Sequence, residues 1–262
     1  MQKLLLILTL LCGVLIIQAT DLVIEKTDGS SIRIDITQIK TMRYAQPELT
    51  LNPDTHLLAY WPLDGDGKDE SGAGLHATNS GTRPCMGVNG KEGSALRFEG
   101  SKTNGDSGNH LVLPFIDLAK NKQFSICLWV KETRMENGDG EGYIWFGDHF
   151  QGALGIVHFY KNIEFLVGKT SLSVPFQAEF IDNWVHYALV MDNNTVRGYI
   201  NGKEVGSKEQ ALQLGSTNAA LGRHWWSKTN SSTRFTGCMD EVRIYSRALS
   251  VDEIKSLIKA SK

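Results

Sequence analysis

Phe124-Ser125-Ile126-Cys127-Leu128-Trp129-Val130 is the stretch that decides how this chain is to be read. Phe124, Ile126, Leu128 and Val130 fall on one face of an extended chain, and Ser125, Cys127 and Trp129 on the other, which is the two-residue period of a β-strand. Further on, Trp184-Val185-His186-Tyr187-Ala188-Leu189-Val190 is mostly apolar at both parities, as a central strand buried on two sides would be. Val196-Arg197-Gly198-Tyr199-Ile200 then runs into Asn201-Gly202, a dipeptide that tolerates the positive φ of a two-residue hairpin turn, before Lys203-Glu204-Val205 returns. The strands there meet antiparallel.

From 57 to about 245 further strand-like runs recur between Gly, Asn and Asp turns, with no helical pattern of useful length among them. That spacing predicts a β-sandwich. The composition agrees, with 26 Gly against only 6 Pro in 262 residues and a hydrophobic fraction of 41%. The 27 Lys and Arg against 29 Asp and Glu give a net charge of −2, without any basic block, so the footprint of a nucleic-acid-binding protein is missing. One helix is expected at the end of the chain. Ser250 can cap it, Glu253 three residues on completes a capping box, and Ile254, Leu257 and Ile258 form its apolar face.

The other end reads as an address. Lys3 precedes the apolar residues 4–17, a run too short for a comfortable membrane span but placed like the apolar core of a secretory signal, with cleavage expected near Ala19. Residues 1–19 are therefore expected to be removed, leaving a secreted chain without a transmembrane segment. Residues 20–45 read as a small hairpin turning at Asp28-Gly29, 46–55 with its two prolines as a linker, and 56–260 as the sandwich. Secretion leaves three cysteines, Cys85, Cys127 and Cys238. Cys127 lies within a strand pattern as a small buried hydrophobe, so Cys85 and Cys238 are the favoured pair if one forms, beside the alternative of three reduced thiols.

Several stretches in order resemble the laminin G-like, concanavalin A-like jelly-roll domains of secreted proteins. They are Ala59-Tyr60-Trp61-Pro62-Leu63-Asp64, Asp69-Glu70-Ser71-Gly72, Gly93-Ser94-Ala95-Leu96-Arg97-Phe98-Glu99-Gly100, the two strands quoted first, Tyr199-Ile200-Asn201-Gly202, and Gly237-Cys238-Met239-Asp240-Glu241-Val242-Arg243-Ile244-Tyr245. The resemblance implies an all-β fold: a two-sheet antiparallel jelly-roll sandwich with a small N-terminal β-hairpin and a short C-terminal helix. That fold hosts lectins, adhesion domains and glycan-cleaving enzymes, so function must be argued from the site.

Asp64-Gly65-Asp66-Gly67-Lys68-Asp69 crowds three carboxylates into six residues, a hard-oxygen set that suits Ca²⁺. It is no EF-hand, since Lys68 and Leu75 occupy positions where that loop needs ligands. The resemblance implies instead a structural Ca²⁺ held by Asp69 and Asp240, with Asp64 and backbone carbonyls; a solvated acidic turn is the alternative. The stretch from Glu136 to Gly142 reads as an exposed loop.

His224-Trp225-Trp226 offers a ligand platform. Adjacent residues of a strand point to opposite faces, so Trp225 and Trp226 cannot both enter one core, and an exposed indole suits a sugar ring. Tyr143 and Trp145 are candidates to line the same face, while Trp61, Trp129 and Trp184 read as core. The paired-carboxylate pattern Glu-x-Asp-x-x-Glu of the superfamily's glucanases is absent, as are other catalytic signatures. The sequence is thus read as a secreted, non-catalytic module binding a glycan. Binding of an extracellular protein partner through an adhesion surface is the first alternative, and a glycoside hydrolase with a site assembled from distant loops is the second.

Overall fold

The computed structural model describes residues 21–25, 30–35, 56–100, 109–133, 141–148, 152–214, 219–223 and 234–262. The chain divides into two compact units, Met1–Thr50 and Leu51–Lys262. In the first, β1 (Asp21–Glu25) and β2 (Ser31–Asp35) pair antiparallel with Ile24 opposite Ile32, the hairpin expected from the sequence. The expected signal, the linker and the Asp28-Gly29 turn lie outside the described residues.

The second unit is a two-sheet sandwich. Its strands are β3 (Leu57–Trp61), β4 (Thr78–Ser80), β5 (Arg83–Cys85), β6 (Ala95–Glu99) and β7 (His110–Val112). Then come β8 (Gln123–Glu132), β9 (Glu141–Asp148), β10 (Gly152–Phe159), β11 (Asn162–Gly168) and β12 (Thr170–Pro175). The chain ends with β13 (Val185–Asp192), β14 (Thr195–Ile200), β15 (Lys203–Glu209), β16 (Ala219–Leu221), β17 (Thr236–Tyr245) and the helix α1 (Val251–Ala260). One sheet runs β12-β11-β10-β9-β16-β7-β4; the other runs β15-β14-β13-β8-β17-β6-β5, with β3 also on β17. Every pairing is antiparallel.

The alternation in β8 places the core. Phe124, Ile126, Leu128 and Val130 face inward and meet Ile144, Phe146, Leu154, Ile156 and Phe165 of the opposite sheet. Both parities of β8 and β13 are nevertheless buried, because α1 lies on the outer face. Ile254 and Leu257 of α1 pack there on Cys127, Ala188, Val190, Tyr199 and Tyr245. The capping box forms as expected: the Glu253 N–H donates to Ser250 Oγ, and the Ser250 N–H donates to Glu253 Oε2 at 2.8 Å. Arg247 grips the same carboxylate at 2.6 Å, and with the Ser250 contacts it holds Glu253 down to about 2. The β14–β15 turn has Asn201 and Gly202 at φ 50° and 74°, the left-handed pair that an Asn-Gly hairpin requires. Trp61 and Trp129 are buried, and Trp184 is half-buried.

Where the sheets press closest, side-chain volume is rationed. Gly198 on β14 faces the Phe165 ring, and a Cβ at that position would stand 2.8 Å from two ring carbons. Gly198→Ala is expected to lower stability by about 1–3 kcal/mol through overpacking against Phe165. Ser250→Ala is expected to lower it by about 1 kcal/mol through loss of the cap. Urea unfolding with unchanged slope is the measurement for both.

Candidate functional site

β6, β8 and β16 finish, and β7, β9 and β17 begin, at one end of the sandwich. Their registers require it: Glu99 and Glu132 lie opposite Thr236 and Gly237, and Leu111 and Ile144 both lie opposite Leu221. The connecting segments 101–108, 134–140 and 224–233 therefore all depart from and return to this end. The β10–β11 turn is here too, with Tyr160 54% exposed and packed edge-on against Phe159.

Several polar side chains are buried at this end, beside the apolar core residues Leu111, Leu221 and Phe235. Glu132, Glu141, His158, His110, Arg223 and Arg234 are all buried. A buried carboxylate is tolerable only when its oxygens are engaged. The Tyr143 hydroxyl donates to Glu132 Oε2 at 2.6 Å, and His158 Nδ1 lies 2.9 Å from Oε1, so the pair of sheets is tied through one side chain. Phe176 stacks on the His158 ring with centroids 4.0 Å apart. Glu141 Oε2 accepts the Thr236 N–H at 3.2 Å. Burial, with Tyr187 and Glu132 alongside, drives the Tyr143 hydroxyl well above its ordinary pKa, so it stays a donor.

Arg223 and Arg234 form an isolated antiparallel bridge, backed by Phe235 N–H donating to Gly222 O at 3.2 Å and Gly222 N–H donating to Tyr143 O at 3.0 Å. The ten residues joining them, 224–233, contain His224, Trp225 and Trp226. These three lie outside the described residues, but the stem that carries them is fixed on the polar end of the sandwich. Tyr143 and Trp145 are not part of an open platform. Tyr143 is fully buried between the sheets, and Trp145 is 1% exposed, packed with Ala153 and Val157 on the other face of β9. The sequence reading misjudged them because aromatic content says nothing of cover on both faces of a sheet. Glu141 and Gly142, read as part of an exposed loop, instead open β9, with Glu141 buried.

The acidic residues do not assemble as the resemblance implies. Asp69 is consumed by its own loop: Oδ1 accepts the N–H groups of Tyr60 and Ser71, and Oδ2 accepts the Ser71 hydroxyl and the Leu75 N–H. Burial opposes ionisation there, yet these hydrogen bonds hold its carboxyl below the usual range. Among the described residues no group of three or more acidic, His or Cys side chains is placed to hold an ion. Asp69, Asp64 and Asp240 thus do not fit a shared Ca²⁺ site. Asp240 precedes Glu241 on β17, and the charge of Asp64 is felt at the Asp240 carboxyl. Glu241 sits at φ 54° in a bulge of β17, where Arg243 holds it at 2.5 Å and the Tyr60 hydroxyl donates to it at 2.8 Å. Burial pushes the Asp240 carboxyl up to about 7, helped by the charges of Glu241 and Asp64 and opposed by the Val88 N–H bonded to Oδ2.

Two facing antiparallel sheets in this strand order define a jelly-roll sandwich. The chain belongs to the concanavalin A-like lectin/glucanases superfamily, whose Laminin_G_3 model matches residues 104–255. Domain 4 of an extracellular arabinanase from Geobacillus stearothermophilus, solved with arabinotriose, is similar in structure. The TM-score is 0.59 at 23% identity, covering 77% of this chain and 97% of that one. Botulinum neurotoxin type C, in a structure concerning its interaction with two ganglioside molecules, matches with TM-score 0.61 at 11% identity over 80% of this chain and 52% of that one. The binding domain of botulinum neurotoxin DC in complex with rat synaptotagmin II matches with TM-score 0.62 at 12% identity, over 80% and 52%. The chain thus spans about half the length of these two toxin chains.

Asp240 yields a pH prediction. Its folded value of about 7 lies above the ordinary 3.8, so the stability it contributes is present below about pH 4 and is lost as pH rises through 7. Asp240→Asn, which cannot ionise, should match the parent near pH 4 and exceed it by roughly 2–4 kcal/mol near pH 8, measured by urea unfolding in a chelator. In the parent, about 1 mM Ca²⁺ should leave the pH 8 value unchanged. A Ca²⁺-dependent gain that Asp240→Asn abolishes would place a cation between Asp64 and Asp240.

Proposed function

We propose that this protein is a secreted, non-catalytic binding module whose ligand is a glycan, taken up at the end of the sandwich from which segments 101–108, 134–140 and 224–233 depart. The observation that carries this reading is the Arg223–Arg234 bridge, which anchors the Trp-containing segment 224–233 on a rigid platform with buried polar groups. A binding constellation is precise only when rigid elements support it. The pairing of Arg223 with Arg234, the Glu132–Tyr143–His158 bonds and the sheets below supply that support. Trp225 and Trp226 supply flat apolar faces with an N–H at the edge, the chemistry that packs on the C–H face of a sugar ring. Tyr160, exposed at the same end, adds a third ring. An arabinotriose complex of a similar sandwich supports the same reading.

A glycosidase would need two carboxylates on either side of an open cleft. Of the acids at this end within the described strands, Glu132 and Glu141 are each 2% exposed and held by internal hydrogen bonds, so neither is offered to a substrate, and Glu99 at the end of β6 is half-buried. The second reading is a protein ligand at the same end, favoured by the synaptotagmin complex of a similar toxin domain.

Titration calorimetry against arabinotriose and a panel of plant and host oligosaccharides is the test. Trp225→Ala and Trp226→Ala are expected to weaken the best ligand at least about tenfold, a loss of about 1.4 kcal/mol or more. Val251→Ser on the exposed face of α1 should change nothing. Absence of binding to every glycan, with capture of an extracellular protein that both Trp variants lose, would replace the glycan reading with the protein one.

A further inference from the structure

We propose that Cys85 and Cys238 form a redox pair that closes to a disulfide, clipping the edge of the eight-stranded sheet to its central strand. Both are buried, and their Sγ atoms lie 2.6 Å apart in a small cluster with Ala95 and Trp184. The topology explains the meeting. β5 pairs with β6 through Cys85 and Ala95, and β17 pairs with β6 through Cys238 and Arg97, so β6 stands between the cysteines. But β6 begins at Ala95, and the chain leaving Cys85 passes that beginning and lies against β17. The Val88 N–H donates to Asp240 Oδ2 at 2.9 Å, and a Cβ on Gly87 would stand 2.7 Å from the same oxygen. Ala95, with one methyl group, is the residue over which the sulfurs approach. Cys127 does not compete, because it belongs to the separate cluster beneath α1.

The oxidant is a small-molecule disulfide such as oxidised glutathione. β5 has three residues, and Arg83 and Pro84 are exposed, so opening of this edge delivers Cys85 first. Its thiolate attacks one sulfur of the oxidant and expels the first reduced thiol; the Cys238 thiolate then attacks the Cys85 sulfur of the mixed disulfide and expels the second. Two protein S–H bonds are lost, one S–S bond forms, one oxidant disulfide is reduced, and the two protons end on the released thiols. The bridge joins residues 153 apart in sequence and so removes much conformational freedom from the unfolded chain.

The full chain, purified reduced and then incubated with oxidised glutathione, tests this by peptide mapping without reduction and by thermal melting. A single cross-linked pair of peptides containing Cys85 and Cys238 is expected, with Cys127 still open to alkylation after unfolding. The melting temperature should rise by about 10 °C and fall back on reduction. Cys127→Ser should keep the rise, and Cys85→Ser and Cys238→Ser should each lose it. Persistent alkylation of both Cys85 and Cys238 after oxidation, or glutathione adducts as the final product, would overturn the proposal. That mapping result holds even where a serine variant folds poorly.

Discussion

β17 is hydrogen-bonded along both edges, and the sandwich depends on that arrangement. On one side it follows β8 from Gly237 opposite Glu132 to Tyr245 opposite Ser125. On the other it is shared, with residues 236–239 paired to β6 and residues 242–245 paired to β3. The register with β8 shifts between Asp240 and Arg243, where Glu241 sits at a positive φ, and this bulge coincides with the point where the other edge passes from β6 to β3. The Arg243 guanidinium over the Tyr60 ring at 4.0 Å, together with its ion pair to Glu241, locks β3 against the second half. Asp240 receives the Val88 N–H and fixes the chain beyond β5 against the first half.

From this axis follow the two distinct ends of the molecule. At the start of β17 the sheets are tied by hydrogen bonds through Glu132, Tyr143, His158 and Glu141, an expensive set of groups to bury and one that does not slide once formed. At the finish of β17 the chain turns through Ser246 and Arg247 into α1, which covers the outer face of the same sheet. One end of the strand thus carries the polar ties between the sheets, the other the helix that covers the outer face.

Much of the fold was legible because its signals are local. The alternation at Phe124 to Val130, the Asn201-Gly202 turn and the Ser250–Glu253 box each depend on a few neighbouring residues, and each appears as read. The polar end was not read, although one clue was present. Extending the inward parity of β8 by two residues brings Glu132 onto the core face, a carboxylate in a row of Phe, Ile, Leu and Val. Its partners could not be named, since Tyr143 and His158 arrive from the opposite sheet. Trp145 failed for a related reason: its burial depends on what covers the outer face of β9. The implied calcium trio of Asp64, Asp69 and Asp240 failed because a carboxylate's spacing does not tell whether backbone N–H groups have already claimed it, as they have for Asp69.

The central claim is that ligand meets the molecule at the end where 224–233 is rooted on the Arg223–Arg234 bridge. Amide hydrogen exchange of the full chain, with and without the best oligosaccharide from the panel, addresses it most directly. The account predicts ligand-dependent slowing concentrated in 224–233, in the adjoining 101–108 and 134–140, and at the Tyr160 turn. Slowing confined to the opposite end, around 113–122 or the 246–250 turn, would contradict it.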